Sequence, residues 1–323
     1  MSGSLSRWAH ARGYEVAVAG YEVVADVRKT IEALRDEGAF DEHFYDRCLK
    51  GFHYSCDIQD PKTVIMLSVP RPAHYITFAV GGQQLKAIIP PTYSRYVQIA
   101  QQIRSDLSSG VLAPGQRLVP LRAPLKSVAA RIGLVRYGRN NITYTRSSGS
   151  FHQLIGSASD APPEAFELSK ILESPGLMES CLNCRACAGA CPAGAIPSDR
   201  FLLRAQYCVT FLNEFPGEWP EWVDPHWHNA IVGCMKCQSC CPANAGRFRL
   251  EDTGVSFSET ETAQLLSGEP ICEESWRTID HKLESAGLTG NEQGDTHRNL
   301  KALVWAEEHR ESSGQSLRLQ PGD

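Results

Sequence analysis

The chain has 323 residues, of which 42% are hydrophobic and 21% charged, with a net charge of −5 and twelve cysteines. That length allows one large domain or two ordinary ones around a real core, and the composition reads as globular. There is no apolar run of membrane-spanning length, no apolar leader after Met1 and no basic stripe of the nucleic-acid-binding kind, so a cytoplasmic protein with no membrane partner is expected, and nucleic acid is not favoured as a partner though an RNA substrate stays open.

Residues 20–36 place Val24, Val27, Ile31 and Leu34 on one face and predict a core-packing helix. The apolar run 63–69, ending at Pro70, predicts a buried strand. Residues 75–80 and 84–89, joined through Gly81 and Gly82, predict a β-hairpin. Tyr96, Ile99, Ile103 and Leu107 recur at helical spacing over 95–107. A short helix over 124–133 is marked by Pro124 at its start and Gly133 at its end. Residues 141–145 and 150–159 read as further strands. The mixture lacks strict strand–helix alternation, which predicts an α+β first domain. The chain divides as 1–170, then a cysteine-rich stretch 175–250, then 251–323. In that last stretch acidic residues outnumber basic ones by 15 to 6. It reads as an acidic helical segment with a weakly ordered tail over 311–323.

The cysteines carry the chemistry. Residues 181–192 read CLNCRACAGACP, placing Cys181, Cys184, Cys187 and Cys191 in the Cys-x2-Cys-x2-Cys-x3-Cys-Pro spacing of bacterial ferredoxins. Disulfides suit small chains in oxidising compartments, and structural zinc sites seldom use this spacing, so iron–sulfur ligation is the reading. A second motif holds Cys234, Cys237 and Cys241, with Cys240 inside it and Pro242 after it. Two four-iron clusters need eight thiolates. Cys208, between the motifs on a predicted helix capped by Ser198, supplies the eighth. In such runs the fourth cysteine serves the other cluster. One cluster then takes Cys181, Cys184, Cys187 and Cys241, and the other Cys191, Cys208, Cys234 and Cys237. Cys240 could stand in for Cys241, but the Cys-Pro step favours Cys241. Cys48, Cys56 and Cys272 read as idle thiols. Trp219, Trp222, Trp227, His226 and His228 crowd the segment between the motifs and read as a wall that keeps water off the clusters.

This eight-cysteine plan resembles the epoxyqueuosine reductases and, more distantly, the reductive dehalogenases. The resemblance implies a nitroreductase-like α+β domain binding a base-off cobalamin, followed by a ferredoxin-like double-cluster domain and a short helical C-terminus. Residues 131–144, RIGLVRYGRNNITY, with 149–156, resemble the family's cobalamin-contacting segment. The corrinoid contacts so implied are Arg139, Asn140, Asn141, Gly149 and Ser150. The family's proton-donating aspartate stands in an Asp-x-Ala-Pro stretch, and the matching place here is Leu121 in LRAP. That leaves Tyr93, Tyr137 and Tyr144 as candidate proton donors, with Arg122 or Arg139 available to lower a tyrosine pKa. The function implied is an iron–sulfur oxidoreductase, fed by a low-potential donor of the ferredoxin or flavodoxin type. It would reduce an unidentified small-molecule or corrinoid-protein acceptor through cobalamin. The alternatives are an electron carrier or corrinoid activator without substrate chemistry of its own, and an epoxyqueuosine reductase acting in tRNA modification.

Overall fold

The computed structural model describes residues 3–269, 271–288 and 296–309. In chain order its elements begin with α1 (Gly3–His10), β1 (Glu15–Gly20), α2 (Val23–Asp36), α3 (Glu42–Cys48) and β2 (Thr63–Pro70). Next come β3 (Ala73–Val80), β4 (Gln83–Ile89), α4 (Tyr96–Gly110), β5 (Leu118–Pro120), α5 (Leu125–Arg131) and β6 (Arg136–Tyr137). There follow β7 (Thr143–Tyr144), β8 (His152–Ser159), α6 (Ala186–Ala190), α7 (Val209–Glu214) and α8 (Lys236–Ser239). The chain closes with β9 (Leu250–Phe257), α9 (Glu259–Ser267), α10 (Glu273–Ser285) and α11 (Thr296–Glu308).

Two compact units result. The first joins the chain through Arg71 to Tyr96–Ala188 and Ile196–Gln206. The second joins Pro72–Arg95, Gly189–Ala195 and the chain from Tyr207 onward. These units cut the chain differently from the expected 1–170, 175–250 and 251–323. The β3–β4 hairpin belongs with the C-terminal half because β9 pairs in parallel with β3, from Ala73 opposite Leu250 to Phe78 opposite Phe257.

In the first unit an antiparallel sheet runs in the order β1-β2-β8-β5. β2 is central, and every residue from Thr63 to Val69 is buried. Alternation sends Val64 and Met66 to one face, where α2 and α5 cover them. Ile65, Leu67 and Val69 point to the other face, under α1 and α4. Burial on both sides is why the strand reads as an unbroken apolar run. The helix α2 buries Val23, Val24, Val27 and Ile31, each worth about 1.5–3 kcal/mol of transfer energy. Leu34, expected on that face, is only partly buried.

In the second unit the strand order is β4-β3-β9. Gly81 and Gly82 both take positive φ (57° and 75°), the turn geometry that matches strand twist in a two-residue hairpin. Phe78 and Phe257 stack at 4.8 Å between ring centres. Around them Ile76, Ile89, Ile231, Leu265, Ile279 and Leu300 bring strands and C-terminal helices into one core. The predicted tail at 311–323 lies outside the described residues. Among the described residues, no helix is long and apolar enough to cross a membrane.

The predicted helix from Ser198 does not form. Residues 198–204 are irregular, a single 3-10 turn follows at Ala205–Tyr207, and α-helix begins only at α7, with Cys208 as its N-cap. Two local bonds compete with helix. Arg200 donates to the carbonyls of Leu202 and Leu203 at 2.7 and 3.0 Å, and Phe201 turns away to pack edge-on against Tyr137 at 5.3 Å.

Candidate metal centre

All twelve cysteines are free thiols. In the second unit Cys191 lies near enough to Cys208 and Cys234 to raise the pKa of both, and Cys208 near enough to raise that of Cys234. Each sulfur also accepts backbone N–H groups. Ala195 donates to Cys191 Sγ at 3.3 Å. Phe211 and Thr210, at the start of α7, donate to Cys208, and Lys236, at the start of α8, donates to Cys234. Burial pushes the Cys208 thiol up and the Cys234 thiol up to about 12. Both residues are partly exposed overall, so it is the sulfurs that the protein surrounds. A set of mutually close sulfurs with amides aimed at them fits an iron–sulfur cluster, whose potential such hydrogen bonds set. Cys237, on α8, completes the expected set. Among the described residues no three His, Cys, Asp or Glu side chains converge as tightly as a single ion demands. A cubane holds each thiolate on a separate iron and spaces them further apart.

Asparagines fasten these cysteines. Asn213, on α7 and fully buried, donates from Nδ2 to Gly233 O at 2.6 Å and accepts from Gly233 N at 2.8 Å. The residue it grips stands directly before Cys234. Asn299, on α11, donates to the carbonyls of Asn213 and Ile231, both at 2.9 Å. Arg298 donates to Leu212 O and Phe215 O at 3.0 and 2.9 Å, satisfying carbonyls at the end of α7. The acidic C-terminal segment is therefore part of the support of the second cysteine set. Sequence reasoning missed both asparagines; the one signal was a polar residue inside each apolar helical pattern.

In the first unit Cys181 and Cys187 are buried and Cys184 is partly exposed. The loop they share is held by Arg139. Its Nη2 donates to Cys181 O at 2.9 Å and Leu182 O at 3.3 Å, and its Nε to Cys184 O at 3.1 Å. Arg139 is only 6% exposed, and no carboxylate stands within ion-pair distance of it among the described residues. A buried cation needs a counter-charge. Thiolates on iron would supply it, so this unit too fits a cluster. Cys241, the expected fourth ligand of that cluster, lies in the second unit.

The residues expected to touch a corrinoid are occupied otherwise. Arg139 serves the cysteine loop. Asn140 Nδ2 donates to Tyr144 Oη at 3.0 Å, and its Oδ1 accepts from Ile142 N. Asn141 turns the chain with φ 58°. Gly149, also at φ 58°, exchanges backbone bonds with Thr145, and Ser150 is buried behind it.

The candidate proton donors fall in both units, with Tyr137 and Tyr144 on the paired strands β6 and β7. Tyr137 and Tyr144 are in the first unit and Tyr93 in the second. Tyr93 donates to the Glu214 carboxylate, and burial and that carboxylate hold its pKa well above the ordinary value. Burial raises Tyr137, whose Oη lies 3.4 Å from Ser127 Oγ. The expected lowering by arginine is absent, since Arg122 pairs with Asp57 at 2.6 Å and Arg139 is engaged elsewhere. Leu121 is buried in the core of the first unit beside Leu125 and Gly156.

The tryptophan-rich segment builds an aromatic wall. Trp219 stacks on His228 at 4.0 Å, Arg298 lies 4.7 Å over the Trp219 ring, and Trp222 packs against Trp227 and Tyr207. Burial and then the Arg298 charge lower His228 to about 4, so it stays neutral near pH 7. Of the three cysteines read as idle, Cys272 caps α10, its Sγ accepting from Ser275 N at 3.5 Å.

Comparison with known proteins agrees with this centre. Residues 180–244 match the family model described as a 4Fe-4S double cluster binding domain. The chain is 28% identical over 188 residues to the epoxyqueuosine reductase of Pseudomonas aeruginosa, covering 57% of this chain and 48% of that one. Against that of Burkholderia pseudomallei the figures are 27% over 235 residues, 71% and 53%. Against that of Escherichia coli they are 32% over 194 residues, 59% and 46%. The chain spans about half the length of these curated relatives. Among solved structures, epoxyqueuosine reductase from Bacillus subtilis, with its aspartate catalytic loop swung out of the active site, superposes with a TM-score of 0.64. It is 18% identical, with 98% of this chain and 86% of that one covered. An epoxyqueuosine reductase bound to an epoxyqueuosine-modified tRNA-Tyr stem loop gives the same TM-score and identity, over 94% and 80%.

Proposed function

We propose that this epoxyqueuosine reductase-like chain is a reductase that carries two [4Fe-4S] clusters and passes single electrons to an acceptor. The acceptor best supported is the epoxide of an epoxyqueuosine carried by tRNA. The observation that carries the reading is the set of close, amide-capped sulfurs of Cys191, Cys208 and Cys234 within the matched double-cluster segment. Cys237 is proposed as their fourth partner. Cys181, Cys184, Cys187 and, from the motif spacing, Cys241 are proposed for the other cluster.

When bound, the clusters supply electrons singly and at low potential. The chain's own residues do the rest. Asn213 and Asn299 fix the spacing of Cys208 and Cys234, and Arg139 offsets the charge of the first thiolate set. Trp219, Trp222 and Trp227 exclude water. Reducing an epoxide takes two electrons, delivered one at a time, and two protons, the first of them a proton for the departing oxygen. Leu121 cannot give one, and Tyr93 is held by Glu214. Tyr137, whose Oη meets Ser127 Oγ, and Tyr144, whose Oη accepts from Asn140 Nδ2, are the remaining candidates. A nitroreductase-like ancestry for the first unit is part of the same proposal. The cobalamin expected from the resemblance does not fit the residues assigned to it, because Arg139 and Asn140 commit their polar groups inside the protein. No step is routed through cobalt.

The tRNA reading draws further support from a groove in the first unit lined by Arg7, His10, Arg136 and Lys170, with Glu15 as its acid. Phosphates are attracted to such a surface. The electron-carrier reading is favoured by one observation, the buried leucine at 121. Anaerobic incubation of the loaded protein with a reduced donor and epoxyqueuosine-containing tRNA separates the two. Conversion of the modified nucleoside, read by mass, supports the reductase. Clusters that cycle while the nucleoside stays unchanged, with or without added cobalamin, leave the carrier.

A further inference from the structure

The two cysteine motifs differ in exposure. From Cys234 to Gln238 no residue is exposed. In the first motif Leu182 is 57% exposed, and Asn183, Arg185 and Ala186 beside it are exposed as well. This turn is exposed but not loose. Arg139 holds the carbonyls of Cys181, Leu182 and Cys184 from inside. Arg185 holds the carbonyls of Leu182 and Cys184 from outside, at 3.2 and 3.0 Å. The protein thus fixes an apolar side chain in water between two candidate cluster ligands.

Positive charge stands beside it in Arg185, and more lies in the segment 200–204 of the same unit. Arg185, Arg200 and Arg204 are exposed, and Glu179 and Asp199 are the only acids between 176 and 206. Arg200 and Arg204 flank Phe201, which packs on Tyr137. The Tyr137 carbonyl also accepts the backbone N–H of Met178, in the segment that leads into Cys181. An apolar centre with a cationic rim is how a protein surface greets a protein partner. The turn offers no aromatic ring on which an RNA base could stack.

Resting on the two-cluster reading, we propose that the turn 182–186 is the docking surface of the electron donor. The donor is a small acidic redox protein that sets an apolar contact on Leu182 and carboxylates against Arg185, Arg200 and Arg204. The transfer moves one electron: the donor is oxidised by one, this chain is reduced by one, and no bond or proton moves. A small, transient interface suffices for such an encounter.

Stopped-flow mixing of the cluster-loaded protein with reduced flavodoxin, an acidic one-electron carrier, tests the surface through bleaching of the cluster absorbance. The wild-type rate should fall as salt rises, and Arg185→Glu should slow it roughly tenfold at low salt. Leu182→Gln, which breaks no hydrogen bond of the turn, should slow it severalfold while keeping the salt dependence. Dithionite, small enough to need no docking surface, should reduce both variants within about twofold of wild type. Flavodoxin rates unchanged in both variants, or a wild-type rate indifferent to salt, overturns the proposal. So does an Arg185→Glu protein that loses a tRNA stem loop yet accepts flavodoxin electrons normally, since the surface would then serve RNA. Iron and sulfide analysis of the same wild-type sample keeps the two readings apart. A wild type without clusters removes the two-cluster reading, and docking with it, whereas a loaded but insensitive protein removes docking alone.

Discussion

Arg139 joins two facts that are separate in the sequence: a buried cation with no carboxylate at ion-pair distance among the described residues, and a cysteine loop in which it holds the carbonyls of Cys181, Leu182 and Cys184. Its charge favours the more negative, reduced state of a neighbouring cluster. Arg139→Gln should therefore lower the first cluster's potential by tens of millivolts, ~59 mV being tenfold for a one-electron couple. A redox titration followed by electron paramagnetic resonance would record the shift, and an unmoved potential would detach Arg139 from the cluster. His152 offers a test in pH. It is buried, its Nδ1–H donates to Gly149 O, and its Nε2 accepts from Thr143 Oγ1, both at 3.1 Å. Burial lowers its pKa from 6.5 to about 4. Between those values the unfolded chain binds the extra proton, so this contribution is present above pH 6.5 and is lost as pH falls toward 4. The loss amounts to at most about 3 kcal/mol. Urea midpoints at pH 7 and pH 5 should differ less in His152→Gln than in wild type. At this scale the sequence was only partly legible. The cysteines announce their role by spacing, whereas Arg139 reads, by resemblance, as a corrinoid contact until the fold brings residues 181–184 to it.

At the scale of elements, α7 and the loop before Cys234 behave as one clamp. Asn213→Ala would leave both the N–H and the carbonyl of Gly233 without their partner. The cost should be about 2–6 kcal/mol, from two buried groups at about 1–3 kcal/mol each. The second cluster's resonance should weaken while the first persists, and a denaturation curve with spin counting on the same sample would check both. Loss of both signals together would make Asn213 a residue of general stability only. Gly233 belongs to the same clamp. It has φ +72°, and a Cβ there would lie 2.7 Å from the Tyr93 ring. Elements whose pattern is set by local chemistry were legible: the Gly81–Gly82 hairpin, the run 63–69 and the face of α2. The helix predicted from Ser198 was not. Its apolar residues are drawn to Tyr137, a partner more than sixty positions away, and tertiary contact overrides helical spacing there.

At the scale of the whole molecule, sequence adjacency misled where pairing is parallel. Nothing local says that residues 250–257 will join residues 73–78, so the C-terminal segment looked like an appendage. In fact α11 supplies Asn299 and Arg298 to the second unit's cysteine support. The double-cluster character was legible because it depends on covalent spacing alone. The acceptor was not, since it depends on residues such as Leu121 whose neighbours only the fold reveals. The central claim is that these eight cysteines hold two [4Fe-4S] clusters. Anaerobic purification with iron, sulfide and zinc counted per chain, and resonance spectra of the reduced protein, tests it most directly. The account predicts about eight irons and eight sulfides per chain and two interacting reduced-cluster signals. One or two zinc ions in their place, with no acid-labile sulfide, would contradict it.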